Sequence, residues 1–317
     1  MRSLALALLL AVPAVALAQD ASAPPVQDWS KDGEVVIVTA ERPGPALWHI
    51  ARNGSDVWIL GVVTPVPRGL KWNSTEIESI ILGAKRVYLP PELTAGVIET
   101  SWFLLTGLHK LKLQEGQTLQ TALPADLRAR YAAWLVKLGK DADTDADYLP
   151  AIAALDLENM FRKSAGLEEN PDKRIRKLAE KDGVPAAPVS VYQAMPIVNE
   201  VQTMSPANEN ACMKNALDDI DTEAVHAEAA ARAWAVGDVA GIKANYSEAK
   251  LYDCFSQTRT FAADREHLTD DALNAVRDSL ATPGKSLIVM NIGPLLRQGG
   301  LIDRLKQQNI TVEGPPG

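Results

Sequence analysis

The chain has 317 residues, of which 47% are hydrophobic and 23% charged, proportions that predict a globular protein with a large core. Its formal charge is -8 at pH 7, and no basic cluster with interleaved aromatic residues offsets that charge. Nucleic acid and anionic membrane surfaces are therefore excluded as main partners.

The N-terminus has the pattern of an export signal. Residues 1–18, MRSLALALLLAVPAVALA, combine a basic start at Arg2, an apolar run and an Ala-x-Ala exit. This pattern predicts a signal peptide that is cleaved after Ala18, and a mature protein that is periplasmic or secreted. Residues 19–33 are polar and rich in Pro and Ala, which is typical of a disordered leader. Beyond residue 18, no run reaches the roughly 18 apolar positions that a membrane span needs.

The chain has two cysteines, Cys212 and Cys254. In an oxidising compartment, a disulfide between them is the expected state. The alternative is a reactive or metal-binding cysteine, but neither residue has a CxxC spacing or a supporting histidine. We therefore predict a Cys212–Cys254 disulfide.

Strand signals come first in the mature chain. The run EVVIVTA, residues 34–40, is apolar and rich in β-branched residues, which predicts a strand. The segment PALWHIARNGSDVWILG then predicts two strands joined by a turn at Asn53-Gly54. Because proline cannot donate a hydrogen bond to a sheet, we expect Pro65 and Pro67 to forbid further pairing after this hairpin.

Helices are predicted for most of the middle of the chain. Ser74 is expected to cap a short helix, and residues 86–92 predict a strand that runs into a double-proline stop. From about residue 95 to residue 280, apolar residues recur with the helical period. One short strand signal, VPAAPVSVY, interrupts this block.

The C-terminal tail returns to an alternation of strand and helix. Residues 286–291 predict a strand, residues 301–308 a helix and residues 310–313 a last strand. The sequence therefore predicts an α/β (α+β) fold within one domain of residues 34–317. A central mixed sheet is formed by the N- and C-terminal strand–helix units, with a large helical insertion at about residues 95–280.

Several short motifs resemble one known family. They are PALW, WILG and PRGLKWNS near the N-terminus, and IVMNIGPLL followed by GGLIDRLKQQNITVE near the C-terminus. On these residues the chain is identified as a divergent member of the TraB/GumN family, whose relatives include the Tiki proteases and, more remotely, erythromycin-esterase-like proteins. The helical middle is similar more loosely, through the segment NPDKRIRKLAEKDGVP that carries Asp172.

The resemblance implies a site whose key residues this sequence has replaced. Family members carry a Gly-x-x-His signature at an early strand end, a second one near the C-terminus, and an acidic residue at another strand end. These positions suit metal binding or catalysis. Here they are occupied by Thr64, Pro90 and Pro294, none of which suits a divalent metal. We therefore expect no metal and no cofactor, and a binding crevice at the strand ends near Gly61, Thr64 and Asn291.

Two functions from different classes follow. In the first, the exported protein is catalytically degenerate and binds or scaffolds a peptide, glycan or protein partner in the crevice. In the second, it is a metal-dependent hydrolase or peptidase with a displaced site, for which Glu92 and His267 are the candidates. The hydrolase needs at least three metal ligands, or a nucleophile and a base within hydrogen-bond reach, and it loses its site if no two of five polar side chains converge near Thr64 and Asn291. The side chains to which this criterion applies are His49, Glu92, Asp172, Arg265 and His267.

Glu92 has a structural interpretation as well. It follows two prolines, so a rigid turn fixes its direction, which suits a site. It also fits the first turn of a helix in the segment PELTAGVIE, and this is the interpretation that we favour. His109 and His226 predict surface or hydrogen-bonded histidines rather than ligands, since no two histidines in the chain are spaced i, i+4. No oligomeric state follows from the sequence.

Overall fold

A computed structural model describes residues 43–256 and 258–315. The predicted signal peptide, the leader and the strand at residues 34–40 lie outside this range. Nine strands occur in the described residues. They are β1 Leu47–Arg52, β2 Ser55–Val62, β3 Val66–Pro67, β4 Ala84–Leu89, β5 Glu92–Thr94, β6 Leu167–Glu169, β7 Ala186–Pro188, β8 Val191–Gln193 and β9 Gly284–Asn291.

Thirteen α-helices surround these strands in the same part of the chain. They are α1 Thr75–Ile81, α2 Val97–Thr106, α3 Leu119–Ala122, α4 Ala125–Lys137, α5 Pro150–Ser164, α6 Pro171–Lys181, α7 Ala194–Val201, α8 Pro206–Ala235, α9 Val239–Asn245, α10 Leu251–Phe255, α11 Arg259–Ala281, α12 Ile292–Leu296 and α13 Leu301–Gln307. A 3₁₀ turn, Leu108–Leu111, follows α2. None of the described helices is long and apolar enough to cross a membrane.

The main sheet confirms the predicted fold class. Its strand order is β1-β2-β9-β4-β7, so the N-terminal strands flank the C-terminal one. β1 and β2 pair antiparallel, whereas β2, β9, β4 and β7 run parallel to one another. The sheet is therefore mixed, and its parallel strands have their carboxyl ends at a common edge. The register of β2 with β9 ends at Val62 and Asn291.

The predicted hairpin is present between β1 and β2. Its turn holds Asn53 at φ 52° and Gly54 at φ 78°, both in the left-handed region. Two such residues are what a two-residue type I′ turn requires, and Asn-Gly supplies them at low cost. The turn fixes the register, in which Arg52 lies opposite Ser55 and Leu47 opposite Leu60.

Two hydrophobic clusters stabilise the chain. The first packs both faces of the main sheet, with Val57, Ile59 and Leu60 of β2 completely buried. The second lies within the helical region and includes Cys212 and Cys254. Their sulfur atoms are 2.14 Å apart, so the predicted disulfide is present and ties α8 to α10.

One prediction about the prolines was wrong. Val66–Pro67 form β3, which pairs antiparallel with β6 in a separate two-stranded sheet. A two-residue edge strand tolerates proline because only one side of the strand needs partners. This small sheet connects the loop after β2 to the helical insertion.

The cap at Ser74 also differs from expectation. Ser74 occupies the N-cap position of α1, but its hydroxyl does not accept a helix N–H group. Instead it donates to the Glu78 carboxylate and accepts from Arg174. The Thr75 N–H group is bonded by the Asn73 side chain, at 3.0 Å. The helix therefore starts where it was predicted, through different contacts.

The region at residues 95–280 is not purely helical. It contains β6, β7 and β8, of which β7 extends the main sheet beside β4. The strand signal in VPAAPVSVY is thereby confirmed. The strand predicted at residues 310–313 is reduced to one bridge, in which Glu313 pairs with His49 on the edge strand β1.

Candidate functional site

A cavity of about 760 Å³ opens at the carboxyl ends of the main-sheet strands. Thr64 follows β2, Pro90 follows β4, and Asn291 ends β9, and all three line the cavity together with Pro294. The volume lies within the range of about 300–1,000 Å³ that is typical of ligand pockets. Strand ends in α/β sheets are the usual place for such a crevice.

Gly61 lies beneath this cavity rather than on its wall. A Cβ atom at this position would clash with the buried side chains of Ile292 and Leu295. Its carbonyl oxygen accepts a hydrogen bond of 2.8 Å from the indole N–H group of Trp234, which is fully buried on α8. Gly61 therefore lets α12 and α8 pack closely against the end of β2, which sets the position of the following loop.

The residues at the three positions to which the family resemblance pointed, Thr64, Pro90 and Pro294, do not fit a divalent metal. The Thr64 hydroxyl donates a 2.7 Å hydrogen bond to the Asn170 side-chain oxygen. Pro90 and Pro294 have no side-chain ligand atom. Across residues 43–256 and 258–315, no group of three or more His, Cys, Asp or Glu side chains could hold a metal ion.

A partly buried charge cluster contributes Arg162 and Glu223 to the helical wall of the cavity. The Arg162 guanidinium donates to Glu158 Oε1 at 2.6 Å and to both oxygens of Glu223, at 2.5 and 3.0 Å. One cation thus serves two carboxylates. Burial raises the pKa of Glu158 to about 7, since the opposing effect of the shared Arg162 is too small to cancel it. Burial disfavours the charge of Arg162 itself, but the two carboxylates outweigh this and raise its pKa.

Aromatic side chains supply a second part of the wall. Tyr252 and Phe261 stack with ring centroids 6.0 Å apart and planes 12° apart. Burial raises the pKa of Tyr246 to about 12, so its hydroxyl stays protonated near neutral pH. Beside these rings, the His226 ring nitrogen Nδ1 lies 3.2 Å from the Asn245 side-chain oxygen. The wall therefore offers aromatic faces next to hydrogen-bonding groups.

The C-terminal wall carries a further ion pair. Arg297 Nη1 lies 3.1 Å from Glu248 Oε2. A Cβ atom at position 293 would clash with the Glu248 carboxylate, so Gly293 permits this approach.

Of the predicted site residues, Glu92 and Arg265 line the cavity. Glu92 does not begin a helix, which corrects the interpretation that we favoured from the sequence. It is the first residue of β5, whose register with β8 starts at the Glu92–Val191 pair. Its carboxylate forms an ion pair with Arg176, and Arg265 forms one with Asp253.

The other predicted side chains lie elsewhere. His267 is exposed on α11, and neither His267 nor Asp172 lines the cavity. His49 stacks on Trp58 of the neighbouring strand at 4.2 Å and lies 3.0 Å from Asp56. Of the five side chains proposed for a displaced catalytic site, two thus line the cavity with Thr64 and Asn291, namely Glu92 and Arg265, and each of these two is held in an ion pair.

Several cavity residues were missed by sequence reasoning, because they come from separate helices of the insertion. His226 was predicted to be a surface or hydrogen-bonded histidine; it does lie within hydrogen-bond distance of Asn245, but its position in the cavity wall was not predicted. Arg162 lines the cavity and is spaced i, i+4 from Glu158, which lies behind it outside the lining; this spacing predicts a surface pair on a helix but not a partly buried cluster. No local signal distinguishes these residues from ordinary helix residues.

Comparison with known proteins identifies the family. The model described as the TraB/PrgY/gumN family matches residues 46–314, so the chain belongs to this family. Comparisons with the curated proteins and with the solved structures find no significant match.

Proposed function

We propose that this TraB/PrgY/gumN family protein is exported and catalytically degenerate, and that it binds a peptide or glycan ligand in the cavity at the strand ends. The proposal is carried by one observation, that Thr64, Pro90 and Pro294 all line the same cavity. These are the positions at which the family resemblance implies metal-binding or catalytic residues. The cavity is present, but the side chains at those positions do not supply the imidazole and carboxylate groups that the resemblance implies there.

The lining of the cavity supports a polar ligand. Side-chain amides can both donate and accept hydrogen bonds, and aromatic faces can pack against apolar parts of the same ligand. Most charged groups are already paired, as with Arg297 and Glu248, so they offer directed contacts rather than a large net charge. The amides are Asn159, Asn170, Asn245 and Asn291, and the aromatic rings are Tyr192, Tyr246, Tyr252 and Phe261.

Export is supported by two features of different kinds. The sequence pattern of residues 1–18 predicts a signal peptide. The Cys212–Cys254 disulfide fits an oxidising extracytoplasmic compartment, since cytosolic thiols are kept reduced. A periplasmic or secreted location follows from both, with the ligand met outside the cytoplasm.

A hydrolase with a displaced site is the alternative. It would use Glu92, which lines the cavity, but the Arg176 ion pair holds this carboxylate. His226 is the histidine of the cavity wall, and its Nδ1 faces Asn245 rather than a nucleophile. A general base acts on a nucleophile or a bound water, and the side chains that contact these two groups, Arg176 and Asn245, are not nucleophiles.

The experiment compares two tryptophan variants on helix α8. Ala227 lines the cavity, so Ala227→Trp would fill part of it, whereas Val225→Trp places the same ring on the outer surface of the same helix. The wild type and both variants are heated in the presence of a defined panel of tri- to hexapeptides and of oligosaccharides.

We expect at least one probe to raise the unfolding temperature of the wild type and of Val225→Trp, but not of Ala227→Trp. A stabilising probe marks the ligand class, because binding to the native state alone stabilises it by mass action. If a probe stabilises all three proteins equally, it binds elsewhere and the cavity is not the site. Cleavage of a peptide or glycan by the wild type would overturn the proposal that the protein is catalytically degenerate and would favour the hydrolase.

A further inference from the structure

Helix α2 exposes large apolar side chains to solvent. Val97, Trp102 and Leu105 have 82%, 68% and 81% of their surface exposed, and Leu104 and Leu108 are exposed as well. We call these five residues the α2 stripe. Single exposed apolar residues are common, but five within twelve positions form a continuous patch.

Three residues of the stripe follow the period of the α-helix. Val97, Leu104 and Leu105 are spaced i, i+7 and i+8 and so share one face, with Trp102 at the side of that face and Leu108 in the 3₁₀ turn that follows α2. In a helix that covers its own core this face would point inward. Here it points outward, and among the described side chains neither hydrophobic cluster includes any from α2. The apolar face of α2 is therefore not packed against either hydrophobic cluster of the described residues.

We propose that the α2 stripe is the interface of a homodimer, in which α2 of one copy packs antiparallel against α2 of a second. The five side chains expose on the order of 600 Å² of apolar surface, at the upper limit of the ~300–600 Å² patches on typical monomers. A standard-size interface uses about 800 Å² from each partner, of which about 65% is apolar in homodimers. The stripe supplies an area of that size.

The charges at the two ends of α2 favour a second copy as the occupant. Glu99 is exposed near the N-terminal end, and His109 and Lys110 are exposed just beyond the C-terminal end. An antiparallel pair places the acidic end of each helix near the basic end of its partner and also opposes the two helix dipoles. The patch is thus complementary to itself, as a two-fold interface requires.

A groove beside the stripe adds room for a partner side chain. Its volume is about 450 Å³, and Trp102, Phe103, Met195 and Pro196 are among its lining residues. Trp102 borders both the groove and the stripe, so the two surfaces are continuous. Aromatic residues at the centre of an interface commonly carry much of its binding energy.

A membrane surface fits the stripe less well. Helices that lie on membranes carry Lys and Arg on their polar face and are attracted to anionic lipids. Between Val97 and Thr106 the only charged residue is Glu99, and the whole chain has a formal charge of -8. The polar face of α2 itself therefore lacks the Lys and Arg residues on which such membrane binding depends.

The test is the mass of the disulfide-intact protein in solution, measured by sedimentation equilibrium from 1 to 100 µM. The wild type is compared with Leu105→Asp and Trp102→Ser in the stripe. Val136→Asp is the matched control, because Val136 is 77% exposed on α4, outside the stripe. Near-ultraviolet circular dichroism of each variant reports whether its fold is retained.

We expect the wild type and Val136→Asp to be dimers, and both stripe variants to be folded but at least about 30-fold weaker in dimerisation, as loss of a hot-spot side chain predicts. A monomeric wild type at 100 µM would overturn the proposal. So would stripe variants that dimerise as tightly as the wild type. A monomeric wild type that floats with vesicles of phosphatidylcholine and phosphatidylglycerol would show that a membrane covers the stripe instead.

Discussion

Burial of the Glu158 carboxyl group beside Arg162 makes protein stability depend on pH. Glu158 is 2% exposed and burial raises its pKa to about 7, from an ordinary value of 4.5. Between these two pH values the folded chain holds a proton that the unfolded chain releases. The free energy of unfolding must therefore fall as pH rises through this window, and the loss is complete above about pH 7.

The size of this effect follows from the shift. One pKa unit corresponds to about 1.4 kcal/mol, so Glu158 alone accounts for up to about 3 kcal/mol between pH 4 and pH 8. Glu158→Gln keeps an oxygen that can accept from Arg162 but removes the titration. We expect the variant to gain up to about 3 kcal/mol of stability relative to the wild type as the pH rises across this window.

The assay is urea unfolding of the disulfide-intact protein at pH 4, 5, 6, 7 and 8. Burial also raises the pKa of Glu209 to about 7, but that group is common to both proteins, so the difference between them isolates Glu158. Glu228→Gln is the control, because Glu228 is an exposed partner of Arg232. Parallel pH profiles for the wild type and Glu158→Gln would refute the reasoning.

Three further variants probe the framework around the cavity. Gly61→Ala should lower the free energy of unfolding by about 1–3 kcal/mol, because the added methyl group overlaps the buried Ile292 side chain, and urea titration would measure it. Trp234→Phe should cost about 1–3 kcal/mol, since the Gly61 carbonyl loses its indole donor; an unchanged urea midpoint would contradict this. Cys212→Ser with Cys254→Ser should cost roughly 4 kcal/mol, and treatment of the wild type with a reductant should reproduce that loss.

The parts of the fold that were predictable depend on local signals. Asn53-Gly54 dictates a hairpin because few other residue pairs adopt the required backbone conformation cheaply. The continuous apolar run of β9 marks a strand that is buried on both faces of a parallel sheet. The placement of β1, β2 and β9 in one sheet followed from the strand signals at residues 47–62 and 286–291.

The parts that were missed depend on contacts between distant segments. The pairing of β3 with β6 joins segments about a hundred residues apart in the sequence. The short pairing of β5 with β8 likewise depends on where the fold places the two segments, and not on the strand propensity of their residues. Glu92 begins a strand for this reason, although its own sequence also suits a helix start. The cavity itself was expected from Thr64 and Asn291, but the helical wall around His226 and Arg162 was not.

If the cavity at the strand ends binds its ligand without a metal ion, divalent metal ions should not stabilise the folded protein. The most direct test is thermal unfolding of the mature, disulfide-intact protein with and without Mn²⁺, Co²⁺ and Zn²⁺. A site filled at a hundredfold excess over its dissociation constant adds about 2.7 kcal/mol, which moves the unfolding temperature of a chain this long by several degrees. We predict no shift with any of the three ions. A shift of several degrees that Glu92→Ala abolishes would contradict the claim and place a metal site in the cavity.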